Sequence, residues 1–277
     1  MSARTRSAPG GNVEEGRREL PLLEARSGSS PERFAARLRG RHPAAVFFAA
    51  LLGGFAALAL LSIALGLLVT DVLLSNADIA HADNQAVKSI VAERTSALTD
   101  ASAVGSAVGG APLLPILVGL IAIVCAFKRK WLIAAFAVFV LTVESATYRV
   151  SSLVVPRERP SVHRLEDLPA DASYPSGHTA AAIAVYVGLA LLITSRFPSR
   201  GLRIAAWALA ILLPAFVALS RMYRGMHHPL DVAAGLVIGI GALLVLLFAT
   251  RAAGVAQAAR HPRTARSRAV RRPQPAA

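Results

Sequence analysis

Apolar residues in this chain run in long unbroken blocks, separated by short polar or basic intervals, and do not alternate with polar positions. A helix that crosses a bilayer needs about 20 mostly apolar residues. Six stretches meet or approach that length, at about 44–70, 112–127, 131–155, 178–195, 202–220 and 229–250. The pattern predicts an all-α fold, an integral membrane bundle of about six transmembrane helices filling residues 44–250. Between the first two blocks lies a polar segment, 71–111, containing NADIAHADNQAVKSIVAERTSALTD, which reads as one or two short helices at the membrane surface. His81, with Asp78 and Asp83, reads there as part of a solvated helix face.

The ends of the chain differ in character. Residues 1–43 and 251–277 are rich in Arg, Pro, Ser and Gly without a sustained apolar period, and read as disordered basic tails. They carry much of the formal net charge of +14. The tails point to contact with anionic lipid on the cytoplasmic side, not to nucleic acid. A content of 55% hydrophobic and 17% charged residues is more apolar than a soluble domain carries. The lone Cys125 excludes an intramolecular disulfide and a cysteine metal cluster.

Short loops set the orientation. Lys128, Arg129 and Lys130 join the second and third blocks, and Arg196, Arg200 and Arg203 surround the loop between the fourth and fifth. With six spans, both clusters share a side with the two tails. The positive-inside rule makes that side cytoplasmic, in a multi-pass protein of the cell membrane with both termini inside. The opposite face carries Arg149, Arg157, Arg159, Arg164, Arg221 and Arg224 against the same rule. Arginines that oppose topology sorting point to an anionic ligand.

Three outward-facing stretches hold the remaining chemistry: VVPRERPSVHR, SYPSGHTAA and SRMYRGMHHPLD. Hydrolysis of a phosphate ester without a metal needs fixed positive charge on the non-bridging oxygens, an in-line nucleophile, and an acid for the departing oxygen. Arginine suits the first task through its permanent planar fork, and histidine suits the others because it titrates near neutrality. Arg159, Arg221, His178 and His227 supply these groups, and Asp231 is placed to orient His227 through its other ring nitrogen. Ser176 and Gly177 precede an apolar helix, where free amides and the helix dipole face an anion.

Pro-Ser-Gly-His at 175–178 and Ser-Arg-x5-His-x3-Asp at 220–231 resemble the second and third signatures of the type-2 phosphatidic acid phosphatase family, membrane enzymes related to vanadium haloperoxidases. Arg159-Pro160 resembles the end of the family's first signature, Lys-x6-Arg-Pro. The resemblance implies a phosphohistidine mechanism at the extracytoplasmic face, with His227 as nucleophile, Asp231 orienting it, and His178 as acid and later base. It implies Arg159, Ser176, Gly177 and Arg221 as phosphate ligands, with no cofactor and no metal. Ser152 stands where the family pattern has lysine, and Arg149 or Arg157 is expected to supply the missing charge.

The expected substrate is a membrane lipid phosphate or diphosphate, with polyprenyl diphosphate placed slightly ahead of phosphatidate-type lipids. The competing class is an inactive relative that binds or transports lipid phosphate. A transporter would show related halves or helices broken near midplane, and no internal repeat is visible. The pair His227-His228 lacks further metal ligands nearby. Glu144, inside the third block, is expected to pair with Arg149 or another residue within the bundle. Tyr174 and Tyr223 read as interface aromatics.

Overall fold

Where water is absent, each backbone amide must be satisfied within its own segment, so the long apolar runs become helices. The computed structural model describes residues 21–260. Its helices are α1 (Ser30–Arg37), α2 (Pro43–Leu67), α3 (Ala77–Ala92), α4 (Ser96–Val108), α5 (Leu113–Phe127), α6 (Trp131–Val154), α7 (Gly177–Arg196), α8 (Arg200–Tyr223) and α9 (Pro229–Arg260). Six helical stretches are long and apolar enough to cross a membrane: Pro43–Leu73, Ser96–Phe127, Trp131–Val154, Gly177–Arg196, Arg200–Tyr223 and Pro229–Arg260. Their outer faces keep Leu60, Ile116, Leu120, Ile211 and Leu244 exposed, an apolar surface that suits lipid and not water. This is a multi-pass membrane protein.

The second span is longer than the hydropathy pattern suggests. It begins in α4, within the segment read as surface helices, and is interrupted between Val108 and Leu113 before α5 continues. Small and polar residues in α4 hide it from a hydropathy reading. Gly105 and Gly109 let it approach α8, where an added Cβ would come within 1.9 Å of the Ser220 hydroxyl and 2.3 Å of Val217.

The segment before the first span also departs from expectation. Residues 21–42 hold a short 3-10 turn at Pro21–Leu23 and helix α1, with Leu23 and Ala35 buried, where the sequence reads as disordered. Ala35 packs with Val46 and Ala252, and Arg251 donates to the Leu22 carbonyl at 2.9 Å, so α1 docks on a continuation of α9 that reaches Arg260. Eight residues are too few to show an apolar period without their partner helix. The parts of the tails at 1–20 and 261–277 lie outside the described residues.

The bundle core is formed by Phe47, Phe136, Val140, Leu243 and Leu246 from α2, α6 and α9. Contact between α7 and α9 fixes the site. Cβ atoms added at Gly235 and Gly239 would lie 2.6 Å from the carbonyl oxygens of Ser176 and Ala180. The two backbones therefore meet directly, and the Ser176 amide donates to the Asp231 carbonyl at 3.0 Å. Tyr174 and Tyr223 are not interface residues. Tyr174 is fully buried and donates to the Ser62 carbonyl at 2.8 Å, while the Tyr223 hydroxyl meets Thr95 and Thr99. Glu144 is buried and accepts from Ser145, whereas Arg149 is exposed on α6.

Candidate active site

One end of the bundle collects the C-terminal ends of α6 and α8, the N-terminal ends of α7 and α9, and the loops between them. Gly225, at φ 71°, terminates α8 in the left-handed region open to glycine, and the Met226 amide then donates back to the Arg221 carbonyl at 3.0 Å. This tight turn brings His227 and His228 beside the first turn of α9.

His227 is 3% exposed. Its Nδ1 lies 2.7 Å from the Ser173 carbonyl oxygen. A carbonyl only accepts, so Nδ1 carries the hydrogen and the lone pair of the neutral ring is on Nε2. The expected partner, Asp231, has its nearer oxygen 3.9 Å from Nδ1, beyond a hydrogen bond. Asp231 acts one layer back. Its Oδ2 accepts from the Ser173 hydroxyl at 2.7 Å and the His228 amide at 2.8 Å, and its Oδ1 pairs with Arg157. The carboxylate thus holds both the residue that orients the imidazole and the backbone just after it. Burial, followed by the charge of Arg221, pushes the proton affinity of His227 well below its ordinary value, so the ring is neutral near neutral pH.

Arg221 is fully buried. Its Nη1 donates to Ser106 at 2.5 Å and to the two oxygens of Glu166 at 2.7 and 2.8 Å. Its Nε and Nη2 have no hydrogen-bond partner among the described residues. Leaving such donors unpaired in a buried place is costly, and a guanidinium edge of this kind matches two oxygens of a phosphate. Glu166 also accepts from Arg224 Nε at 2.6 Å. Burial opposes its ionisation, but the hydrogen bond and charge of Arg221, with help from Ser106 and Arg224, hold the carboxyl down at about 2.

Arg159 staples loop to turn. It donates to the carbonyls of Pro169, Met226 and Ala172 at 2.8, 2.6 and 2.8 Å, which engages three of its five N–H groups. The charges of Arg221 and Arg159 both act on His227 and on His178, so the two imidazoles share one pair of guanidinium groups. His178 lies in the first turn of α7, half-buried, with its Nε2 2.5 Å from where a Cβ on Gly110 would stand. Ser176 does not cap α7 with its side chain but bonds Thr179 Oγ1 at 2.9 Å, leaving the first amides of the helix open to an anion. Tyr148 of α6 packs against Gly177, and its ring would lie 3.1 Å from a Cβ added there.

His227, His178, Asp231, Arg159, Ser176, Gly177 and Arg221 are therefore brought together. Of the two arginines expected to replace the missing lysine, only Arg157 is already engaged by carboxylates among the described residues. Arg149 is exposed, and both Nη atoms of Arg157 are engaged by the carboxylates of Asp83 and Asp231. Sequence reasoning misses Ser173, Glu166, Ser106 and Gly110, and places Asp83 on a solvated face. The buried side chain of Asp83 instead faces Arg157. Glu166 leaves no distinguishing trace in sequence, because the same loop also carries Glu158, Asp167 and Asp171.

Comparison with known proteins gives the same region. The family model described as the PAP2 superfamily matches residues 132–253. An undecaprenyl-diphosphatase of Sulfolobus acidocaldarius is 36% identical over 124 residues, 43% of this chain and 55% of that protein. A decaprenylphosphoryl-5-phosphoribose phosphatase of Mycobacterium tuberculosis is 31% identical over 122 residues, 42% of this chain and 60% of that one. The chain thus spans little more than half the length of these curated relatives. The crystal structure of a transmembrane PAP2 type phosphatidylglycerolphosphate phosphatase from Bacillus subtilis superposes with a TM-score of 0.60, covering 69% of this chain and 93% of that one. Identity there is 24%, so the likeness is one of fold.

Proposed function

We propose that this chain is a member of the PAP2 superfamily, whose model matches residues 132–253, and that it hydrolyses a phosphate ester or diphosphate on a membrane lipid through a phosphohistidine intermediate, without a metal. The observation that carries the reading is the buried Nε–Nη2 edge of Arg221, without a hydrogen-bond partner among the described residues, on the residue whose charge acts on both His227 and His178.

In this mechanism the phosphoryl oxygens lie against Arg221, the remaining N–H groups of Arg159 and the open amides at the start of α7. The Nε2 lone pair of His227 attacks phosphorus, an N–P bond forms, and the P–O bond to the lipid breaks. His178 gives its proton to the departing oxygen, then takes one from the water that attacks the phosphohistidine and releases phosphate. Asp231, through Ser173, keeps the Nδ1 hydrogen in place while the ring gains positive charge.

The lipid is read as a polyprenyl diphosphate, which would release polyprenyl phosphate. Two curated relatives with prenyl-chain phosphate names support this choice over phosphatidate. The basic loops at the opposite end of the bundle, Lys128 to Lys130 and Arg196 to Arg203, support an extracytoplasmic site with both ends of the chain in the cytoplasm. On that side, Arg33, Arg39 and Arg41 support contact with anionic lipid.

The test is phosphate release by the purified protein in detergent with a metal chelator. Polyprenyl diphosphate, phosphatidate, phosphatidylglycerophosphate and diacylglycerol diphosphate are compared at equal concentration. Release is expected, fastest from polyprenyl diphosphate, with a loss of at least about 1000-fold in His227→Ala and at most about threefold in His228→Ala. No release from any of the four, or undiminished release by His227→Ala, sinks the mechanism.

A further inference from the structure

Helix α3 lies outside the region matched by the family model and reads from sequence as a surface element, yet Asp83 on it is buried against the site. Both its oxygens are engaged there. Oδ1 accepts from the Leu230 amide at 3.0 Å, in the first turn of α9, and Oδ2 pairs with Arg157. The other Nη of Arg157 pairs with Asp231. The chain of contacts then passes from Asp231 to the Ser173 hydroxyl, and from the Ser173 carbonyl to His227 Nδ1.

We propose that Asp83 is a positioning residue for the reaction, joining α3 to the nucleophile through Arg157, Asp231 and Ser173. The inference rests on the phosphatase reading above. Two effects make the carboxylate more than a docking contact. It caps α9 at the turn that carries Asp231, filling an amide that α9 itself leaves open. It also sets the charge behind the imidazole. Two carboxylates around one guanidinium leave one negative charge over, which favours the positive ring formed when Nε2 takes the phosphoryl group. Without Asp83, Arg157 neutralises Asp231 and that excess disappears.

Asp83→Asn separates the charge from the contact, because the amide oxygen still accepts from Leu230. Val87→Ala is the companion variant. Val87 is a fully buried residue of the same helix, and its truncation weakens docking without altering charge. In the full chain, with polyprenyl diphosphate as substrate, Asp83→Asn is expected to lower kcat about tenfold and leave KM within about twofold. Val87→Ala is expected to lower the unfolding temperature while kcat stays within about twofold. An Asp83→Asn enzyme with unchanged kcat overturns the inference. So does an equal loss of kcat in the two variants, which would make Asp83 a structural contact alone. Absence of turnover of polyprenyl diphosphate and of the three other lipid phosphates by the unmodified protein is a different result: it removes the phosphatase reading, and the inference with it.

Discussion

The Nδ1 of His227 lies 2.7 Å from the Ser173 carbonyl oxygen and 3.9 Å from the nearer oxygen of Asp231. A main-chain group therefore sets the tautomer, and the carboxylate controls the ring by holding the residue that bears that carbonyl. The link is the Ser173 hydroxyl, 2.7 Å from Asp231 Oδ2. Ser173→Ala removes it and leaves the carbonyl in place. The expected outcome is a fall in kcat of about tenfold with little change in KM, read from steady-state kinetics. Unchanged kcat would mean that the loop between α6 and α7 holds the carbonyl without Asp231.

Gly110 faces the other imidazole. A Cβ added there would stand 2.5 Å from Nε2 of His178 and 2.8 Å from its Cδ2, closer than real contacts allow. The neighbour that must give way is the proposed acid. Gly110→Ala should displace this ring by a few tenths of an ångström to about 1 Å, and misplacement on that scale costs about 100-fold in rate. The loss should fall on kcat, with a normal unfolding temperature. Gly119, where nothing lies within 4 Å of an added Cβ, is the control for alanine substitution in the same span.

The pH dependence has a definite sign. Burial lowers the proton affinity of His227 first, then Arg221 and Arg159 lower it further, while Asp231 and the bond to Ser173 act in the opposite direction. The net depression keeps the free enzyme's nucleophile neutral below the ordinary titration range of histidine. The acid limb of kcat/KM should therefore lie well below the ordinary value of 6.5, with activity retained on going from pH about 7 to about 6. A limb centred at or above the ordinary value would show that the imidazole is not buried beside the two guanidinium groups in the working enzyme.

The parts of this molecule legible in sequence are those that rest on local or periodic signals. Apolar blocks locate five spans closely, and Pro-Ser-Gly-His with Ser-Arg-x5-His-x3-Asp locates residues that the fold does bring together. The failures are contacts made across the chain. Asp83 and Arg157 stand 74 positions apart, so no local pattern reveals that a polar helix face is buried against an arginine. Ser173 acts through its main-chain carbonyl, a group every residue carries. The start of the second span is obscured because α4 approaches α8 through glycine and serine, which keep its hydropathy low while allowing close packing. Arg157 reads from sequence as a ligand for an anion because its charge is visible there and its two carboxylate partners are not.

Glu166 offers a test of the arginine cluster that does not depend on turnover. The carboxyl is held down to about 2 against an ordinary 4.5, because its contacts with Arg221, Ser106 and Arg224 outweigh the opposing effect of burial. A group whose folded-state value is depressed stabilises the fold fully above its unfolded value, and that contribution disappears as pH falls through the folded value. The stability difference between the unmodified protein and Glu166→Gln should therefore be constant from neutral pH down to about 5.5, begin to shrink near 4.5, and vanish toward about 2. Unfolding of both proteins in an acid-stable detergent at pH about 7, 5, 4 and 3 measures it. A difference that stays level through pH about 3 would mean that Glu166 is not an ionised partner of Arg221. The Nε–Nη2 edge of that guanidinium would then have to be aimed by Ser106 alone.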